Sequence, residues 1–397
     1  MNARLQARPA TSTASAPHLE IDLEAVAHNT RTLVDAARGE VMAVVKADGF
    51  GHGALAVAAT ALTHGATSLG VTSIDEALVL RRAGLAAPVL SWLNAPAADF
   101  ASAIAVGIEI GIPSLEHLAA VAAAAGHVGR VARVHLHADT GLARDGAGPA
   151  DWERLCRDAA AHQARGRLQV VGLMGHLPCA DRPDHEANAH ARGAFDRFTA
   201  IARRAGLRDV RRHLAATAAT LTDPLSHYDM CRVGAGLVGI DPSGTTALRP
   251  AMTLRAPLVS VRDVPRGTGV GYGHSVVTDH ATRLGLLSLG YADGLPRAAA
   301  NRAEVTIHGR RCRVIGLVSM DQVVVDLGDL SARPGDLATV MGPGDAGEPT
   351  VSDWAYWSDT VPHAIVVGLG PRMLRSTLPA TSPRLRVLSA PSPRTSS

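Results

Sequence analysis

The sequence predicts an α/β fold: a (β/α)8 TIM-type barrel followed by a mostly β C-terminal domain. Three observations carry this. From about residue 18 to about residue 250, short β-branched runs alternate with Ala-rich amphipathic segments, the texture of repeated βαβ units. Eight candidate strands follow the first helix of that stretch, the strand count of a closed barrel. After Pro250 the helical periodicity stops, and β-rich runs punctuated by Gly and Pro take over. A doubly wound open sheet is the alternative for the first part, but no GxGxxG follows its first strand.

His18–Asp22 reads as a lead-in strand and Leu23–Ala37 as a helix beginning near Asp22. Candidate barrel strands follow at 41–46, 68–73, 88–93, 108–112, 131–138, 168–176, 210–216 and 231–239. Helical stretches between them include Asp75–Ala83, Ser114–Ala125, Asp151–Ala164 and His185–Ala205. Ser73-Ile74-Asp75-Glu76 has the form of a capping box. Beyond Pro250 the β runs are Leu254–Val261, Thr282–Ser288, Glu304–Ile307, Arg311–Val318, Gln322–Asp326 and Leu337–Met341. The expected organisation is a disordered tail over 1–17, the barrel over 18–252, the β domain over 253–385 and a second tail over 386–397. The first tail carries Arg, Ser and Thr with no acid and no apolar core for secretion.

Composition narrows the function class. A chain of 397 residues with 47% apolar and 19% charged content is that of a soluble two-domain protein. A net charge of +3 with both signs interspersed gives no basic patch, so nucleic acid is not a partner. No apolar run reaches the roughly 18–20 residues that span a bilayer, so no membrane is implied. Cys156, Cys179, Cys231 and Cys312 are far apart with no CxxC, which points to reduced thiols in the cytoplasm.

One residue organises the chemistry. Lys46 is the single lysine among 39 basic residues; all the others are arginine. Arginine serves wherever a fixed charge suffices, whereas a lysine amine can lose its proton and form a Schiff base with a carbonyl carbon. The bland role is a snorkelling lysine at a strand end. Against it, an apolar β-type run delivers Lys46, and the Gly-rich turn DGFGHG follows and lets a ligand approach the backbone. A barrel places its chemistry at C-terminal strand ends. There the sequence puts Lys46, the segment Asp139–Arg144, His176, Thr217 and the segment Arg232–Ala235.

Six collinear segments carry a resemblance: AVVKADGFGHG, HADTGLARDG, VGLMGHL, MCRVGAGLVGI, GVGYGHS, and GYADGLPR followed by GLVSMDQ. In them the chain resembles the alanine racemase family, pyridoxal 5'-phosphate enzymes of barrel-plus-β architecture, along nearly its whole length. The resemblance implies that Lys46 binds the cofactor and then acts as base on one face. Tyr272 is implied as the second base, reaching across from the other subunit of a homodimer with shared active sites. His213 matches a histidine, set back from the substrate, that is expected to tune that tyrosine, whose phenol otherwise has a pKa near 10. Arg232 matches the arginine facing the pyridine nitrogen, and His176 a residue packed against the cofactor ring. Thr217, Gly234 and Ala235 match the phosphate corner. Arg144 and Met320 match the binding positions of the amino-acid carboxylate, Asp321 stands beside Met320, and Tyr291 and Arg297 match entrance residues. No metal is expected; His135 and His137 share a strand face, but only Asp139 is near as a third ligand.

Three positions depart from the family's pattern. Phe50 stands where a phosphate-binding tyrosine is usual, and aligning TVPHAIVVGLG puts Val367 at a second such tyrosine, leaving room for a substrate larger than alanine. His137 stands where many members carry a carbamylated lysine, which a chain with one lysine cannot reproduce. Two enzyme readings therefore stand beside the racemase: a decarboxylase of the same architecture, and a catalytically weakened racemase homologue. The decarboxylases place a carboxylate opposite the pyridine nitrogen, where this chain has Arg232. A single-barrel cofactor carrier would need neither the β domain nor Tyr272.

Overall fold

The computed structural model of the protein describes residues 16–380. The expected terminal tails lie outside the described residues, apart from residues 16 and 17. Strand β1 (His18–Asp22) leads into the helix Leu23–Ala36, whose first turn Asp22 caps, its Oδ1 accepting from Glu24 N at 2.8 Å and Ala25 N at 3.2 Å. Then come β2 (Glu40–Val44), β3 (Ser68–Val71), β4 (Val89–Ser91), β5 (Glu109–Ile112), β6 (Ala132–His137), β7 (Leu168–Met174), β8 (Arg211–His213) and β9 (Met230–Val233). They are bonded in the order β8-β7-β6-β5-β4-β3-β2-β9, every pair parallel. A parallel bridge between Ala216 and Arg232 nearly closes the ring, with Arg232 N donating to Ala215 O at 2.9 Å.

Helices cover the outside of these strands, so runs such as β3, β4 and β5 are buried at every position, as both faces of a parallel barrel sheet require. Inside the barrel Met42, Leu90, Met174 and Met230 form a plug beneath the half-buried Trp92. The capping box at Ser73 is present: its Oγ accepts from Glu76 N at 3.2 Å, and Glu76 Oε2 accepts from Ser73 N at 3.3 Å. The expected strand over 231–239 ends at Val233, because the chain turns into a 3-10 segment, Ala235–Val238.

The second domain contains β10 (Met252–Val264), the short β11 (Gly269–Val270) and β12 (Val276–Val277), β13 (Thr282–Leu287), β14 (Glu304–Ile307), β15 (Arg310–Ile315), β16 (Val323–Asp326), β17 (Leu337–Met341) and β18 (Leu374–Leu378). Its main sheet runs β13-β16-β15-β14-β17-β10-β1-β18, and an added β13–β10 pairing curls it closed. The lead-in strand therefore belongs to this sheet and not to the barrel span of 18–252: β1 pairs antiparallel with β10 and parallel with β18. Sequence periodicity did not reveal β18 or the helices Val351–Trp357 and Pro362–Gly368. Among the described residues no helix is long and apolar enough to cross a membrane.

Candidate active site

Lys46 stands two residues beyond the end of β2. After it the backbone winds left-handed, with φ of 51° at Ala47, 53° at Asp48, 61° at Gly49 and 57° at Phe50. For a residue with a Cβ this costs roughly 1–2 kcal/mol each, so neighbours must hold the turn. Glu76 Oε1 accepts from Ala47 N at 2.7 Å and Asp48 Oδ1 accepts from Ala54 N at 2.8 Å. The buried His52 Nδ1 pairs with Phe50 O at 2.7 Å. The turn brings the Lys46 amine and the Phe50 ring to the wall of one cavity.

That cavity, of about 660 Å³, opens at the C-terminal ends of the barrel strands. His176 lies just beyond β7, Thr217 just after β8, Arg232 on β9, and Gly234 and Ala235 in the turn that follows; all line it with Lys46. Arg144 and His137 complete the barrel-side residues expected from sequence. His213 does not line it. That residue is fully buried behind Arg232.

Arg232 is buried among protein acceptors. Its Nη1 donates to His213 Nδ1 at 3.0 Å and His213 O at 2.7 Å, and its Nη2 to Gly175 O at 2.7 Å, His176 Nδ1 at 3.3 Å and Leu214 O at 3.4 Å. The remaining N–H, on Nε, has no hydrogen bond among the described residues. Burial, then Arg144, lowers this guanidinium to about 10, so it stays charged at neutral pH. Burial and the Arg144 guanidinium push the Lys46 amine below its ordinary range, with Glu76 opposing. Burial, Arg232 and Arg144 bring His176 down to about 3, so its imidazole is neutral.

At the other end of the cavity Thr217 Oγ1 accepts from Gly234 N and Gly236 N, both at 3.2 Å, which leaves its hydroxyl hydrogen to donate. The Ala235 N–H has no acceptor among the described residues. Glycine is needed at 234 for space: a Cβ there would stand 2.7 Å from Phe50 Cε2 and Cζ.

The second-domain residues are elsewhere. Tyr272, in the 3-10 turn Tyr272–His274, is 73% exposed, and Met320 is 53% exposed. Tyr291, Arg297 and Asp321 are exposed too, and Asp321 Oδ1 accepts from Arg372 at 2.7 Å. None of the five lines the cavity of its own chain.

Val367 is also outside the cavity; His363, four residues earlier, lines it, its ring centroid 6.1 Å from that of Phe50. Pro362 opens the helix that carries His363. His137 Nδ1 stands 3.4 Å from Asp145 Oδ2, an ion-pair distance without hydrogen-bond alignment. Among the described residues no group of three or more metal-ligating side chains gathers; His135 is bonded to His213 and Glu109.

Comparison with known proteins gives a consistent answer. The family model for the N-terminal domain of alanine racemase matches residues 21–242, and that for the C-terminal domain matches 251–377. An alanine racemase of Thermobifida fusca is 47% identical over 359 residues, covering 89% of this chain and 96% of the relative. One of Mycolicibacterium smegmatis is 46% identical over 366 residues, covering 91% and 94%. The crystal structure of alanine racemase from a D-cycloserine-producing Streptomyces lavendulae superposes with TM-score 0.90 at 42% identity, covering 92% of this chain and 98% of that one. The alanine racemase of Bartonella henselae, solved with covalently bound pyridoxal phosphate, has TM-score 0.83 at 26% identity, covering 92% and 100%.

Proposed function

The chain belongs to the alanine racemase family, and on that premise we infer that it is an isomerase, a pyridoxal-phosphate-dependent racemase interconverting L- and D-alanine. The observation that carries this reading is the meeting, in one cavity, of the chain's single lysine with a buried guanidinium. The residues present fit the cofactor. Lys46 offers an amine made easier to deprotonate by burial. Arg232 keeps one N–H, on Nε, for a ring nitrogen, and the Thr217 hydroxyl and Ala235 N–H are donors left for a phosphate. Gly234 leaves the backbone uncovered beside them.

Pyridoxal phosphate, when bound, supplies the electron sink that makes the α-proton of an amino acid removable. The protein supplies the rest. Lys46 Nζ takes and returns that proton on one face. Arg232 is a donor with no basic site, so a proton is not passed to the pyridine nitrogen as a carboxylic acid would pass it. That limits charge delocalisation and disfavours transamination and decarboxylation. His176, held neutral, walls the ring without adding charge. Arg144 binds the substrate carboxylate.

The proton on the opposite face needs a second base. We assign it to Tyr272 of a second copy of the chain, because Tyr272 lies exposed and away from its own cavity. A homodimer with composite sites follows, with Met320, Asp321, Tyr291 and Arg297 arriving beside Tyr272. Four free thiols, with no disulfide to maintain, favour the cytoplasm.

The test is a panel of single-enantiomer amino acids in deuterated water with the cofactor-loaded protein. Loss of optical rotation with deuterium at the α-carbon, greatest for alanine and without carbon dioxide release, is the expected result. Carbon dioxide release would establish the decarboxylase instead. A protein that takes up borohydride label at Lys46 yet racemises nothing would be the weakened homologue.

A further inference from the structure

Behind Arg232 lies a row of buried ionisable groups that the proton transfers do not use. Arg232 Nη1 is 3.0 Å from His213 Nδ1, His213 Nε2 is 2.8 Å from His135 Nδ1, and His135 Nε2 is 2.9 Å from Glu109 Oε2. His135 and His213 have no exposed surface, Glu109 retains 2% and Arg232 6%. The row crosses the barrel interior from β5 through β6 and over β7 to β8 and β9. It can cross β7 because Gly172 has no side chain; a Cβ there would overlap His135 Nδ1. Gly172 is not among the positive-φ glycines, so the glycine serves space and not backbone geometry.

The direction of every bond in the row is fixed by its ends. A guanidinium has only donors and an ionised carboxylate only acceptors. Arg232 therefore donates to His213 Nδ1, which must be bare. His213 then carries its hydrogen on Nε2 and donates it to His135 Nδ1. His135 in turn carries its hydrogen on Nε2 and donates to Glu109. Reversing any link would set two donors face to face at Arg232. Other charged or titratable groups around the row are Arg133, which bonds Glu109 Oε1 at 2.8 Å, and His137, Arg211 and His176.

We propose that Glu109 is a positioning residue for the reaction: through His135 and His213 it locks Arg232 in one orientation and balances its charge, which turns Nε toward the cofactor's ring nitrogen. Burial, then the Arg232 charge, keeps His213 far below the ordinary histidine range, in accord with a neutral imidazole in the row. The role rests on Arg232 facing that nitrogen, whereas the bond polarity is a property of the protein alone, so the two are separable by experiment.

The first measurement needs no variant and no cofactor. In protein labelled with 15N-histidine, the long-range 1H–15N spectrum should show His135 and His213 both as Nε2–H tautomers, with Nδ1 an acceptor in each. An Nδ1–H tautomer or an imidazolium at either position overturns the proposal, whatever the enzyme does. The second measurement uses cofactor-loaded Glu109→Gln and Gly172→Ala, with Arg133→Gln as control for the surface ion pair. We expect both row variants to shift the visible absorption band of the bound cofactor. Both should also lower kcat by roughly ten- to a hundredfold with KM nearly unchanged, the scale of a hydrogen bond to a charged group. Arg133→Gln should do neither. If the row variants keep the wild-type absorption band and kcat and only melt earlier, Glu109 is a structural partner of Arg133 and the proposal fails. If the tautomers are as stated and the band still does not move, the row exists but Arg232 does not face the ring, and the reading of Arg232 falls with it.

Discussion

The imidazole of His363 and the ring of Phe50, one from each domain, lie 6.1 Å apart and tilted by 55° at the wall of the cavity. Phe50 also covers Gly234, so this pair borders the corner that offers Thr217 and Ala235 to a phosphate. Neither ring carries a phenol hydroxyl, and Phe50 stands where the resemblance implies one. Restoring one, as Phe50→Tyr or His363→Tyr, should tighten pyridoxal phosphate binding about two- to tenfold, the yield of one hydrogen bond of about 0.5–1.5 kcal/mol. Fluorescence titration of cofactor-free protein measures this. Pyridoxal, which has no phosphate, is the control: an equal gain for both ligands would sink the assignment.

Composite sites make a sharper prediction. Lys46→Ala and Tyr272→Phe homodimers should each lose roughly 10²–10⁴ in kcat, the range of a general acid–base group. When the two are unfolded and refolded together, a mixed dimer has one site with both residues intact. Random pairing then restores about a quarter of wild-type activity. A mixture no more active than its parents would place both residues in one chain's site.

Much of this was legible in sequence because barrel chemistry repeats a local pattern: an apolar strand, then a polar residue at its C-terminal end. Lys46, His176, Thr217 and Arg232 were found that way, and the structure brings them to one cavity. What escaped detection depends on pairing across the chain. β1 looked like the start of the barrel, yet its partners β10 and β18 lie more than 200 residues away. His363 was hidden because its helix, Pro362–Gly368, had no strong periodicity in the sequence. Glu109 gave no signal and His135 stood out only as half of a possible metal pair, since an interior hydrogen-bonded row is visible only once β5, β6 and β8 surround Gly172.

Stability should depend on pH through a buried histidine beside the lysine turn. Burial brings His52 down to about 4 from an ordinary value of 6.5. The unfolded chain therefore takes up a proton as pH falls below 6.5 while the native state does not, and stability declines from there until about pH 4. Above 6.5 this group contributes no slope. The decline from this one residue is at most about 1.4 kcal/mol per pH unit. Urea midpoints of wild type and His52→Asn across that window measure it. The variant's curve should be shallower; parallel curves would show that His52 titrates alike in both states.

The space at Gly234 can be tested against the residue that fills it. A Cβ at 234 would meet Phe50 Cε2 and Cζ at 2.7 Å and Val44 Cβ at 3.2 Å. Phe50 is fixed by a left-handed turn with φ of 57°, so its ring cannot retreat without disturbing the chain next to Lys46. Gly234→Ala should therefore cost about 1–3 kcal/mol in stability, as overpacking does, and weaken the cofactor as the Ala235 N–H shifts. Phe50→Leu shortens the obstructing ring. In the double variant most of both losses should be recovered, giving a coupling of about 0.5–3 kcal/mol between residues in contact. Purely additive losses would mean that the alanine methyl meets the backbone of the phosphate corner and not the Phe50 ring, and that glycine is required at 234 for the ligand alone.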